Sequence, residues 1–185
     1  MIKDLYSWLQ SEANLSDLNE YLYKKSLHKS LDKEAEYQNI INTINTLLED
    51  NIDIYDILNK ENIRLEIKKD TSKAFIHAQY IEEEKLIWIN ELWLDKYKQL
   101  MSEKEAITLH LAHEIYHVIE EKSNPWYMNY RYKKSHSISE VCAIYFSQKL
   151  ANLSYHPSLY TYKIDLLNAE YTKEDLLNYL IKERR

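Results

Sequence analysis

The chain has 185 residues, of which 24 are Lys or Arg and 30 are Asp or Glu, for a formal net charge of −6. That length sets one domain as the default, with enough chain for a full core. The acidic balance argues against a direct nucleic-acid partner, whose phosphates call for a basic footprint. Glycine is absent, where average usage near 7% would give about 13; the P-loop, the dinucleotide fingerprint and the Gly-x-Ser-x-Gly elbow are therefore excluded.

Turns that need positive φ must then use Asn or Asp, which tolerate that region better than other residues. The lone Cys142 forbids an intrachain disulfide and fits a reducing cytoplasm. Met1 to Asp4 open a charged, amphipathic segment without the apolar core of a secretory signal. No apolar run approaches the ~20 residues that span a bilayer, so no membrane partner is expected.

The first sixty residues read as helical. Ile2, Leu5, Tyr6 and Leu9 share one face, Asn14 to Ser16 suggest a break, and Leu18, Tyr21, Leu22 and Lys25 begin a second short helix. Tyr37, Ile40, Ile41, Ile44, Leu47 and Leu48 mark a third, with a further turn or two at Ile54 to Leu58. The period then changes. Ile63 to Ile67 alternates as a half-buried strand does, Lys68 to Ser72 make a polar turn, Ala74 to Ile81 form a second strand, and Leu86 to Asn90 a third after the acidic Glu82 to Glu84. Short strands with tight connections suggest an antiparallel meander. Leu92 to Leu100 return to helix.

Ser102-Glu103-Lys104-Glu105 has the form of a capping box, placing a helix start there. Its core stripe is Ile107, Leu111, Ile115, Val118 and Ile119, and beside it run His110, His113, Glu114, His117 and Glu121. Lys122 to His136 reads as a long loop with Pro125 and a cluster of Trp126, Tyr127, Tyr130 and Tyr132. A second helix is expected from Ile138 to Asn152, a break at Pro157, and a terminal helix after Thr172.

His113-Glu114-Ile115-Tyr116-His117 is His-Glu-x-x-His. On a helix, residues four apart share a face, so His113 and His117 can offer two imidazole nitrogens to one ion, with Glu114 placed to take a proton from the ion's water. Neutral imidazoles suit Zn²⁺, which brings the pKa of a bound water down to about 7, although Mn²⁺ and Fe²⁺ accept the same donors. Glu140, 23 residues after His117 on the following helix, could complete a His-His-Glu set with an open fourth position. It could equally close a Ser137-x-x-Glu140 capping box. Ala143, one turn on, would let the two helices approach closely. His136, Tyr132 and Tyr145 are candidates for stabilising an oxyanion; His110 reads as surface or as support for a ligand. The Leu86 to Asn90 strand is a candidate for binding an extended peptide.

Ala112 to His117, followed by Ser139-Glu140-Val141-Cys142-Ala143 and Phe146, resembles the ImmA/IrrE-type metallopeptidases over about residues 60 to 152. The resemblance implies zinc held by His113, His117 and Glu140, Glu114 as general base, and a cytoplasmic repressor or other transcriptional regulator as the protein substrate. The chain departs from that pattern at Tyr116, where relatives often have a small residue, and at Cys142-Ala143-Ile144, where they often have Glu-Ala-Asn; no helix-turn-helix region is evident.

The expectation is thus an α+β protein, mostly helical, with a small antiparallel sheet of about three strands packed on a zincin-like active-site helix pair. A single domain would comprise a helical part over 1–60, the core over 61–152 and a helical part over 153–185. The expected activity is zinc-dependent hydrolysis of a peptide bond. The alternative is a non-catalytic domain that keeps zinc for stability and binds a regulator; an intact Glu114 favours catalysis, because a structural site would close its fourth position with protein.

Overall fold

The computed structural model describes residues 12–168. The expected helices at Ile2–Leu9 and beyond Thr172 lie outside these. Among the described residues no helix is long and apolar enough to cross a membrane.

The architecture is mostly helical with one small sheet. Helix α1 spans Glu12–Ser26, α2 Lys33–Glu49 and α3 Ile54–Glu61. The expected break at Asn14 to Ser16 does not occur: α1 runs through it. Ser and Asn cost a helix only a fraction of a kcal/mol each, and with no Gly or Pro nearby nothing there interrupts the backbone. Asp32 and Asp53 cap α2 and α3, accepting hydrogen bonds from Ala35 N and from Tyr55 N and Asp56 N.

Strands β1 (Arg64–Lys68), β2 (Ala78–Ile81) and β3 (Leu86–Asn90) form a sheet in the order β1-β3-β2. The antiparallel meander is therefore corrected to a mixed sheet: β1 pairs with β3 in parallel, and β2 pairs with β3 antiparallel. Leu86-Ile87-Trp88-Ile89 explains the order. Every residue of β3 is buried, whereas β1 and β2 are largely exposed or half-buried, and a continuous apolar run belongs between two partners.

The second strand is also shorter than expected, because the chain before it is drawn onto Asn90. The fully buried Asn90 side chain donates to the carbonyls of Asp70, Lys73 and Ile76 and accepts from Asp70 N and Leu92 N. One amide thus ties down the β1–β2 connection and caps α4 (Glu91–Tyr97).

The Ser102–Glu105 capping box forms and starts α5, Glu103–Ser123. The expected long loop contracts: α6 begins at Tyr132 and runs to Leu150, leaving a single 3-10 turn at Trp126–Asn129 between the helices. Aromatic docking holds this connection. Tyr127 is fully buried, Trp126 Nε1 donates to Thr43 Oγ1, and Tyr130 Oη donates to the buried Glu36. Helix α7, Pro157–Leu167, opens with proline in its first turn, where the missing N–H costs nothing.

The absence of glycine leaves its mark. The described residues with positive φ are Asn51, Asn62, Asn124 and Asn152, together with Lys85. A buried core joins the helices to β3 and includes Ile87, Leu111, Ala112, Ile115, Val141, Ala143 and Phe146. Among the described elements helices α5 and α6 make the most extensive contact, and Ala112 on one and Ala143 on the other are both fully buried.

Candidate metal centre

Helix periodicity stacks His113 and His117, with ring centroids 5.1 Å apart. Helix α6 brings Glu140 opposite them. His113 Nε2 lies 3.6 Å from Glu140 Oε2, and His117 Nε2 lies 3.6 Å from Glu140 Oε1. A tetrahedral ion with bonds of ~2.0–2.2 Å holds its ligand atoms roughly 3.3–3.6 Å apart. The three residues form a group that could hold a metal ion, one donor atom of each lying within 4.8 Å of the others. Side-chain exposures of 25%, 23% and 39% for His113, His117 and Glu140 leave the group open to solvent among the described residues.

The capping alternative for Glu140 does not hold, because the residue lies in the interior of α6 and Ser137 Oγ donates instead to the carbonyl of Lys134. The histidines beside Glu140, His113 first, hold its carboxyl below the usual range against the opposing effect of burial. For His117, burial opposes the charged ring, but Glu120, Glu140 and Glu114 together outweigh it and raise the pKa.

Glu114 Oε2 accepts a hydrogen bond of 2.9 Å from the backbone N–H of Tyr80. The register explains the geometry. Asn90 N donates to His77 O, and Ala78 and Tyr80 stand opposite Ile89 and Ile87. In an antiparallel pair the hydrogen-bonded positions alternate, so the N–H and C=O of Ala78 and Tyr80 point away from β3. The sheet edge beside the metal group is β2. Strand β3 is paired on both sides, which corrects the expectation that Leu86 to Asn90 offers an edge to a peptide.

Sequence reasoning missed Glu120. It placed Glu121 on the ligand stripe, yet Glu121 is exposed and Glu120 is buried. Glu120 accepts hydrogen bonds from Tyr127 Oη at 2.8 Å and from Ser139 Oγ at 2.7 Å, while Tyr116 Oη and Tyr127 Oη are 2.8 Å apart. Ser139 Oγ lies 3.3 Å from His117 Nδ1, and Glu120 Oε2 lies 3.8 Å from it. With Ser139 donating to Glu120, its oxygen is left to accept from the Nδ1–H of His117, which fixes the tautomer and leaves Nε2 as the free lone pair. Burial pushes the Glu120 pKa up, but the neighbouring His117 ring and the hydrogen bonds from Ser139 and Tyr127 outweigh it and hold the carboxyl low. The i, i+4, i+7 spacing of 113, 117 and 120 was the signal available.

The other candidates divide. His136 Nδ1 is 3.8 Å from Glu140 Oε1, and its ring stacks on exposed Tyr132 with centroids 5.7 Å apart. Tyr145 instead packs edge-on against Tyr23. His110 is buried, with Nδ1 2.7 Å from the carbonyl of Ala106, and reaches no ligand of the group. Cys142 is fully buried, as a small apolar residue would be.

Beside His113 and Glu114 a cavity of about 260 Å³ opens between α5, α6, α7 and the start of β2. His77, stacked on Trp93 at 3.6 Å, forms part of its wall.

No protein-family model, curated protein or solved structure matches this chain.

Proposed function

We propose that this chain is a zinc-dependent metallopeptidase, with His113, His117 and Glu140 as metal ligands and Glu114 as general base. The observation that carries this reading is the convergence of both Nε2 atoms on the two Glu140 oxygens, 3.6 Å each, beside a glutamate hydrogen-bonded to a sheet edge. The fold fits a zincin-like helix pair, α5 and α6, with the edge strand β2 alongside. The ImmA/IrrE resemblance belongs to the same reading and gives the substrate class: a cytoplasmic protein such as a repressor.

The donor set of two imidazoles and one carboxylate suits Zn²⁺. A bound ion would supply a Lewis acid for the scissile carbonyl and an acidified water. The residues do the rest. An extended peptide adds to the outward edge of β2 through the N–H and C=O of Ala78 and the C=O of Tyr80, the Tyr80 N–H being taken by Glu114; main-chain hydrogen bonds give affinity in this mode. Tyr80 N–H keeps the Glu114 carboxylate turned to that edge, where Oε1 takes a proton from water and passes it to the leaving amine. Glu120 and Ser139 hold His117 in the ligating tautomer. We assign the oxyanion donor to His136, whose Nδ1 lies 3.8 Å from Glu140 Oε1.

The test is peptide hydrolysis by the zinc-loaded chain, read by mass spectrometry as paired fragments summing to the substrate plus water. Glu114→Gln should keep the zinc and lose hydrolysis. A zinc-loaded chain that binds candidate regulators without cleaving any of them, with Glu114→Gln behaving like the native chain, would instead favour a non-catalytic, zinc-stabilised interaction domain.

A further inference from the structure

Two residues that line the cavity beside Glu114 each bury a ring nitrogen that the fold leaves without a partner. His110 and His156 both line it, 5% and 2% exposed, and among the described residues their Nε2 atoms are the buried side-chain nitrogens or oxygens that make no hydrogen bond. Leaving such a group unpaired costs a fold roughly 1–3 kcal/mol, so two in one cavity call for an explanation.

Their partners assign the protons. A carbonyl only accepts, so His110 Nδ1, at 2.7 Å from Ala106 O, carries the hydrogen and its Nε2 is a bare acceptor. Ser158 N donates to His156 Nδ1 at 3.1 Å, so that ring carries its hydrogen on Nε2, a donor. Burial holds both rings neutral, with pKa values pushed down to about 4 and about 3. The two rings therefore carry one unpaired acceptor and one unpaired donor and no net charge, in a lining that also includes the hydroxyls of Ser147, Ser158 and Thr161. Ile144, Leu109 and Pro157 supply apolar wall, and among the described residues the lining includes no Lys or Arg and no carboxylate besides Glu114. At about 260 Å³ the space suits a single side chain, falling below the ~300–1,000 Å³ of pockets for drug-sized ligands.

We propose that this cavity is a specificity subsite for a carboxamide side chain, Gln or Asn, of a peptide lying along β2. The proposal rests on the peptidase reading for the peptide's placement. Ala78, whose backbone groups point outward from the sheet edge, lines the same cavity, so a residue pairing there sends its side chain into it. The amide NH₂ then donates to His110 Nε2 and the amide C=O accepts from His156 Nε2. A carboxylate side chain cannot donate to His110 and meets the charge of Glu114. An aliphatic one leaves both imidazoles unpaired, which is the basis on which hydrogen-bonding sites reject analogues.

The test uses the metal-free, full-length chain and three probes of similar size: propionamide, 2-butanone and propionate. The imidazole ¹⁵N resonances of His110 and His156 report binding. Propionamide should shift both and bind roughly tenfold tighter than either analogue, as the loss of one or two buried hydrogen bonds implies. His156→Phe, which keeps the ring shape, should abolish that preference. Equal binding of amide and ketone, or shifts that spare both rings, would overturn the subsite, and the native chain alone decides this if the variant misfolds. In a second arm the zinc-loaded chain meets peptides differing only in Gln, Glu or Leu at one position. Amide-selective shifts without cleavage of any peptide would remove the peptidase reading and leave the cavity as a carboxamide site. Cleavage that favours Leu or Glu would keep the peptidase and overturn the subsite.

Discussion

The backbone N–H of Tyr80 donates to Glu114 Oε2 across 2.9 Å, joining the free edge of the sheet to the helix that carries both histidines. Proline is tolerated on an edge strand where the N–H points outward, so Tyr80→Pro removes this donor, and Tyr80→Ala controls for the lost ring. Relative to Tyr80→Ala, the Pro variant should lose at least about tenfold in kcat, since a hydrogen bond to a charged group is worth about 1.5–3 kcal/mol, with zinc affinity unchanged. Steady-state kinetics alongside zinc titration checks this. Equal kcat in the two variants would show that Glu114 needs no such tether.

Glu120 accepts from Tyr127 and Ser139 and faces Nδ1 of His117. Glu120→Gln should weaken zinc binding by about 10–100-fold, the usual effect of removing a carboxylate that supports a ligating histidine. Ser139→Ala should act in the same direction and more weakly. Competition with a chromogenic chelator measures both, and NMR of the His117 ring reports whether the Nδ1–H tautomer is lost with them.

How far the sequence reached can be judged at these residues. His113, Glu114, His117 and Glu140 were legible because helix period and one short connection are local properties, and the structure brings His113, His117 and Glu140 together. Glu121, four residues after His117, continues the ligand stripe but is exposed; Glu120 was passed over because only the approach of Tyr127 and Ser139 buries it. Strand positions were legible from alternation. The central place of β3 was written in its continuous apolar run and passed over; the shortening of β2 was not legible, because it depends on Asn90 gathering backbone from up to 20 residues away, which no local pattern records. The aromatic connection at 126–130 read as loop because its order comes from Thr43 and Glu36 on a distant helix. The lack of glycine carried further, since the positive-φ positions fall on Asn in four places.

Lys85 is the fifth, at φ 48°. A residue with a Cβ pays about 1–2 kcal/mol in the left-handed region, and glycine gives back about 0.5–1 kcal/mol in unfolded-chain entropy. Lys85→Gly should therefore stabilise the chain by about 0.5–1 kcal/mol in urea unfolding, its hydrogen bond to Tyr80 Oη being exposed and weak. A loss of stability would mean that the side chain does more than its contacts indicate.

Burial depresses the pKa of His110 to about 4 and of His156 to about 3, against about 6.5 in the unfolded chain. The unfolded state takes up protons that the folded state refuses, so their contribution is intact above pH ~6.5 and is lost as pH falls toward 3–4. His117, whose pKa is raised, works in the opposite sense and offsets part of the slope. For the metal-free chain, His156→Phe should therefore flatten the fall of Tm between pH 7 and pH 5 relative to the native sequence. Identical pH slopes would contradict the neutral, buried state of His156.

The central claim is that His113, His117 and Glu140 share one ion, and zinc stoichiometry tests it most directly. Calorimetric titration of chelator-stripped protein at pH 7 should give one zinc per native chain and per Glu114→Gln chain, with Glu140→Ala weakened by at least tenfold, in line with the loss of one of three ligands. Binding should also weaken as pH falls, because the ion displaces a proton from His117. No zinc bound by the native chain, or equal binding by Glu140→Ala, would contradict the account.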